Sequence, residues 1–169
     1  MAMMAPPPLR MVDSTSLKSM MMLASEGFNP SPLVVLESAI RDILVSASMY
    51  LLKAILEQAA GAKVGLIGTN QNMIGNAALP TDRTTPESFE VQKLFREMAD
   101  AGCTHVVMET SSHALYLDRV YGVHYDVGVF TNLTQDHLDF HKTMESYCDA
   151  KAILFRNCSV GVVNADDPS

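Results

Sequence analysis

Cysteine is scarce in this chain: there are three in 169 residues, at positions 103, 148 and 158. An odd number without Cys-x-x-Cys spacing excludes a disulfide framework and a zinc knuckle, and points to a reducing compartment. Basic residues are few as well. Twelve Lys and Arg stand against nineteen Asp and Glu, a net charge of −7, and no Lys/Arg block exists. That excludes the footprint of a nucleic-acid binder, and any anion must be held by local groups. Long apolar runs are also missing. The run Ile43–Leu52 is ten residues, too short for a bilayer, and Pro6-Pro7-Pro8 with Arg10 interrupts any signal-peptide core. The expectations are a cytoplasmic location, no membrane insertion and no nucleic-acid partner. With 48% apolar and 18% charged residues the composition is that of a globular chain. A chain of this size buries roughly 70% of its unfolded surface, enough for one core.

Residues 1–32 hold seven of the twelve methionines and five of the eight prolines, without helical or strand period. They read as a poorly ordered leader. From Leu33 to Ala60 the apolar residues Leu36, Ile40, Ile43, Ala47, Tyr50, Leu51, Ala54 and Ile55 recur at spacings of three and four, which predicts a helix ended by Gly61. Beyond Lys63, short apolar strands alternate with amphipathic helices. Val64–Gly68, Thr104–Met108, Val127–Phe130 and Val160–Val163 are the predicted strands. Ser88–Ala101, with Val91, Leu94, Phe95 and Met98 inward, and Thr143–Asn157, capped by its threonine, are the predicted helices. This alternation predicts an α/β fold, a parallel sheet flanked by helices. In such sheets ligands sit beyond the carboxyl ends of the strands.

Polar residues concentrate at those ends. Glu109-Thr110-Ser111-Ser112-His113 follows one predicted strand, Thr131 to His141 the next, and Asn164-Ala165-Asp166-Asp167 the last. A carboxylate, an imidazole and several hydroxyls suit a divalent cation that also holds phosphate oxygens. Plainer roles exist for each group. An acidic residue after a strand often only caps the next helix. His105, inside a strand, reads as a core or edge histidine, and His113, His124 and His141 can be surface groups. A metallohydrolase centre built on Asp136, His137, Asp139 and His141 is a weaker alternative, because these residues follow one strand end too closely to surround a metal.

Four ordered segments carry a family resemblance: Arg83-Thr84-Thr85-Pro86-Glu87, Val107-Met108-Glu109-Thr110-Ser111-Ser112-His113-Ala114-Leu115, Phe130-Thr131-Asn132-Leu133-Thr134-Gln135-Asp136-His137-Leu138-Asp139-Phe140-His141, and Ala150-Lys151. Over about residues 49–169 the chain resembles the central, P-loop NTPase-like domain of the Mur ligases. Within that family it is similar to the MurE type, which adds a diamino acid in peptidoglycan synthesis. The resemblance implies ATP and Mg2+ as cofactors. The implied substrates are UDP-N-acetylmuramoyl-L-alanyl-D-glutamate and a diamino acid, with meso-diaminopimelate the commoner choice. The glutamate carboxylate is activated as an acyl phosphate and the amine then attacks it. Magnesium screens the carboxylate from the triphosphate, since two anions otherwise repel.

The implied residue roles follow from the matched positions. Glu109 and His137 match the magnesium ligands, and Lys151 matches a lysine that the family carboxylates and uses at the metal. Thr84, Thr85, Ser111 and Arg119 match positions that grip the muramoyl substrate. Asn132 and Asn164 match positions near the nucleotide. Leu117 replaces a polar residue of some relatives two places before the arginine.

Two departures accompany the match. The family's Gly-Thr-Asn-Gly-Lys-Thr-Thr phosphate loop precedes the helix that here contains Met49–Glu57, but this chain has Ile43-Leu44-Val45-Ser46-Ala47-Ser48 there. Gly68-Thr69-Asn70 is no substitute, because Gln71-Asn72 follows it. The chain also closes at Ser169, ahead of the family's remaining strands. The expected organisation is therefore a leader over 1–32 and a partial central domain over 33–169, with the carboxyl-terminal domain absent and the chain inactive by itself. The alternatives are a non-catalytic remnant that binds muramoyl nucleotide or a partner ligase, and a folylpolyglutamate synthase-like ligase. The threonine pair and the Ser-Ser-His run argue against the latter.

Overall fold

The structure is a computed structural model that describes residues 37–131 and 138–163, with side chains from Val45 onward except that of Leu138. The described residues fall into two compact units, one ending at Tyr121 and the other beginning at Gly122.

The first unit opens with helix α1, Glu37–Ala60. It is unbroken because nothing between these residues is a glycine or a proline. Gly61 stops it by adopting a φ of +61°, where a side chain would be strained. The spacing of apolar residues predicts this helix, and the structure shows which of its faces is covered. Ser46, Met49 and Lys53 are the buried residues, while Leu51 and Leu52 lie on the exposed side. The helix is apolar around much of its circumference, so its own pattern does not choose a face and packing on the sheet does. The buried Lys53 ammonium reaches Glu57 one turn on, at 2.6 Å.

Strand β1, Val64–Ile67, is buried along its whole length, as an uninterrupted apolar run in a central strand should be. Val64 and Leu66 join Met49 and Val107 in the main core cluster. Each large side chain buried there contributes about 1.5–3 kcal/mol. The opposite face of β1 is tight: a Cβ at Gly65 would lie 2.4 Å from Met98 Sδ. Strand β4, His105–Met108, pairs parallel with β1, with Val64 opposite His105 and Ile67 opposite Met108. The parallel pairing agrees with the expectation from alternating strands and helices.

Two further strands do not follow from that alternation. β2, Asn72–Ile74, and β3, Ala77–Leu79, form an antiparallel hairpin, and β2 pairs antiparallel with β1. The sheet order is β3-β2-β1-β4. Gly75, with φ +59°, makes the two-residue Gly75-Asn76 turn. Helix α2, Ser88–Asp100, buries Val91 and Met98 and is followed by Gly102 at φ +81°. Its start is capped by Glu90, whose carboxylate accepts the Glu87 N–H at 3.1 Å. A short helix α3, Ser112–Tyr116, follows β4, with the Ser111 hydroxyl accepting the Ala114 N–H at 3.2 Å.

The second unit contains β5, Tyr125–Phe130, the short α4, Leu138–His141, then α5, Met144–Arg156, and β6, Cys158–Val163. β5 and β6 pair parallel, Val127 opposite Val160 and Phe130 opposite Val163, with α5 packed against both. Thr143 caps α5 by accepting the Ser146 N–H at 3.1 Å. Tyr147 and Ala150 are its buried residues. The three cysteines are free thiols. Among the described residues no helix is long and apolar enough to cross a membrane.

Candidate functional site

The β1–β4 register decides what meets at the carboxyl ends of these strands. Because Ile67 lies opposite Met108, the next residues on each strand, Gly68-Thr69 and Glu109, emerge side by side. The Glu109 N–H continues the ladder to the Ile67 carbonyl at 2.9 Å. Glu109 Oε2 then accepts the Thr69 backbone N–H at 3.2 Å and the Thr69 hydroxyl at 2.9 Å. The approach at Gly68 is close: a Cβ there would sit 2.8 Å from Met49 Cε, the mobile end of that side chain, and 3.5 Å from Glu109 Oε2. The buried Asn72 side chain steadies the loop by accepting the Gly68 N–H at 3.3 Å.

The segment before α2 folds onto the same end. The Thr84 and Thr69 hydroxyls are 2.9 Å apart. Thr85 is 1% exposed, and its hydroxyl has two partners: it donates to the Glu109 carbonyl and accepts the Ser111 N–H, both at 3.0 Å. Thr85 thereby pins the loop after β4. Arg119 donates from Nη1 to the Thr85 carbonyl at 3.4 Å, and its Nε lies 3.2 Å from Glu87 Oε2. Glu87 Oε1 in turn engages Arg83. The first unit thus brings together Glu109, Thr84, Thr85, Ser111 and Arg119, five of the residues singled out from sequence. Thr69, Glu87 and Asn72 were given no role there. A signal for Thr69 existed in its place directly after a buried strand.

Lys151 belongs to the second unit, on α5. Its Nζ stands 4.7 Å from the Tyr147 ring centroid and 5.4 Å from that of Phe130, a cation–π arrangement with both. His141, which can be a surface group by sequence, is instead 4% exposed and packs on Phe140 and Tyr147, with centroids at 4.8 and 5.2 Å. The other histidines sit in ordinary places: His105 is exposed beside the Thr104 hydroxyl, and His124 Nε2 is 2.9 Å from the Ser159 hydroxyl. Leu117 is exposed. His137, Asn132 and Asn164, together with Asp136 and the leader over 1–32, lie outside the described residues.

The Glu109 cluster fits a hard cation in its chemistry. It offers a carboxylate beside two hydroxyls, all oxygen donors, and magnesium is commonly held by one or two carboxylates with water and phosphate completing the shell. Among the described residues no three His, Cys, Asp or Glu side chains converge. Such a cation would therefore take further ligands from substrate, water or residues outside this set. Residues 43–48 lie inside α1, with no glycine or lysine among them and no loop. A shallow depression beside them is lined by Ser46, Met49, Tyr50, Leu66 and Gly68–Gln71.

A parallel-containing sheet with acidic and hydroxyl groups at its carboxyl edge is that of an α/β domain whose ligands sit beyond the strand ends. Residues 46–169 match the Mur ligase middle domain model, and the chain belongs to that family. It is 50% identical over 155 residues to the UDP-N-acetylmuramoyl-L-alanyl-D-glutamate--2,6-diaminopimelate ligase of Clostridium botulinum (strain ATCC 19397 / Type A), covering 91% of this chain and 32% of that protein. The ligase of the same name from Clostridium tetani (strain Massachusetts / E88) is 56% identical over 122 residues, 72% of this chain and 25% of that one. A solved structure of a ligase of that name superposes with a TM-score of 0.59 at 34% identity, over 71% of this chain and 24% of that one. The chain spans a quarter to a third of the length of these relatives.

Proposed function

We propose that this chain is the central-domain portion of a cytoplasmic ligase that joins a diamino acid, 2,6-diaminopimelate, to the glutamate of UDP-N-acetylmuramoyl-L-alanyl-D-glutamate. The observation that carries the reading is the Thr69–Glu109–Thr84 cluster. It places a held carboxylate and hydroxyls at the strand ends, beside Ser111 and Arg119. Glu109, His137 and a carboxylated Lys151 would hold Mg2+, while Asn132 and Asn164 would face the nucleotide. Bound Mg2+-ATP would supply phosphoryl transfer to the glutamate carboxylate. This chain's own residues position that carboxylate: Arg119 offers its guanidinium to an anion, and Thr84 and Ser111 offer hydroxyls to the substrate's polar oxygens. Thr85 acts indirectly, by fixing the backbone at 109 and 111.

The continuous α1 supports a second element of the reading. A phosphate loop binds by backbone N–H groups turned outward at a helix start and by its lysine. Residues 43–48 provide neither, because their N–H groups belong to the helix interior. The chain by itself is therefore proposed to bind the muramoyl substrate without turning over ATP. Calorimetric titration with UDP-N-acetylmuramoyl-L-alanyl-D-glutamate tests this. Saturable binding that Arg119→Ala weakens by at least roughly tenfold is expected for a charge-assisted contact. Absence of binding overturns the substrate reading. Phosphate release that needs both the nucleotide dipeptide and diaminopimelate overturns the inactivity.

A further inference from the structure

The ion cluster beside this site links two arginines through Glu87, which with Glu90 also forms the capping box at the start of α2. Glu87 is the residue just before α2, and its position is set by the backbone, since its N–H is bonded to the Glu90 carboxylate at 3.1 Å. From there its two carboxylate oxygens reach two arginines, Arg83 through Oε1 and Arg119 through Oε2, the latter at 3.2 Å. The Glu87 and Arg83 side chains are half exposed, and ion pairs so placed contribute little to folding. Arg119 differs. Its side chain is 18% exposed and its Nε atom is buried, although the N–H is not aligned for a hydrogen bond to Glu87. Nη1 meanwhile donates to the Thr85 carbonyl.

We propose that Glu87 is a positioning residue that locks the Arg119 guanidinium so that its Nη1/Nη2 end, and not its Nε side, meets a substrate carboxylate. A guanidinium presents five N–H donors in a rigid planar fork. Here the Nε side is blocked by Glu87 and one Nη1 hydrogen is taken by Thr85. Among the described residues nothing engages Nη2. Away from Nε, the Nη1/Nη2 end of a guanidinium is the edge that can match the two oxygens of one carboxylate. Arg83 engages the second Glu87 oxygen, so the Glu87 charge is shared between two guanidinium groups. Glu87 therefore orients without competing, because it contacts the side of the fork that the ligand does not use. This rests on the reading of Arg119 as a substrate-carboxylate contact.

The test is calorimetric titration of the full chain with UDP-N-acetylmuramoyl-L-alanyl-D-glutamate, using wild type, Glu87→Gln, Arg119→Ala and the double variant. Glu87→Gln keeps the shape and the α2 start but removes the charge. It is expected to raise the Kd by about tenfold, the scale on which losing a supporting partner misplaces a binding group, while leaving the melting temperature unchanged. In the Arg119→Ala background the same change is expected to have no further effect, which a merely structural role would not produce. Glu87→Asp, with its carboxylate drawn back by one methylene, is expected to fall between wild type and Glu87→Gln, and replaces it should Glu87→Gln fold poorly. Wild-type binding that Glu87→Gln leaves equal or tighter, or an equal loss in both backgrounds, overturns the positioning role alone. Wild type that does not bind overturns the substrate reading itself and this inference with it.

Discussion

Glu109 and Thr69, forty residues apart in sequence, share a single oxygen: Glu109 Oε2 accepts both the backbone N–H and the hydroxyl of Thr69. One carboxylate oxygen is thereby fixed to the loop after β1. The parallel register of β1 and β4 makes the meeting unavoidable once the strands pair. Thr69→Val keeps the N–H and the shape but removes one donor. Because Thr69 is exposed, it is expected to cost about 0.5–1.5 kcal/mol, as for an ordinary hydrogen bond, read from the urea midpoint. A loss above roughly 3 kcal/mol, beyond any single such bond, would show that Thr69 supports the core and not merely the carboxylate.

Thr85 should behave differently, because its hydroxyl is buried and serves two backbone groups. Thr85→Val leaves the Glu109 carbonyl and the Ser111 N–H without that partner, and each such loss costs about 1–3 kcal/mol. Thr85→Ser restores both bonds and is expected to regain most of the deficit. Equal stabilities of the valine and serine variants in urea would contradict the bridging role.

Gly65 and Met98 make a third case. An alanine Cβ at 65 collides with the Met98 thioether, so Gly65→Ala is expected to cost about 1–3 kcal/mol through overpacking. Met98→Ala empties the space and is expected to cost about 2–5 kcal/mol. The double variant should be more stable than the sum of the two losses implies, since the new methyl enters the cavity. A double-variant cycle on denaturation free energies checks the coupling. Strict additivity would mean the two positions do not share that space.

Lys151 carries the most demanding proposed chemistry. Its ammonium lies over the Tyr147 and Phe130 rings, a setting that favours a cation, and carboxylation would reverse its charge. In a full-length Mur ligase carrying residues 49–169 of this chain, Lys151→Ala is expected to abolish turnover. Partial rescue by an added short carboxylate is expected too, measured as phosphate release. Full activity of that variant would show the assignment to be wrong.

Much of this architecture is legible residue by residue, because it depends on local rules. The apolar run Val64–Ile67 marks a buried strand, the spacing of Val91 and Met98 marks α2, Gly102 marks its end, and Thr143 marks the start of α5. The hairpin over 72–79 escapes the same rules, since its strands are three residues each and show no clear alternation. Its one local cue was the Gly75-Asn76 pair, a turn that needs positive φ. The buried face of α1 was not legible either. Leu51 is no less apolar than Met49, and only the sheet beneath selects Met49 for burial.

The sequence by itself marked the longer strands and helices and where polar groups collect, after β4, β5 and β6. It also excluded a glycine- and lysine-bearing loop at residues 43–48, because those residues are simply different ones. Tertiary structure alone decided which polar groups meet. Thr69 reaches Glu109, Thr85 ties position 109 to 111, and Glu87 reaches Arg119, across separations of 40, 24–26 and 32 residues. Periodicity carries information over a few residues, whereas these contacts depend on the register of one parallel strand pair. A shift of that register by one residue would turn Glu109 to the other face of the sheet and leave Thr69 without it.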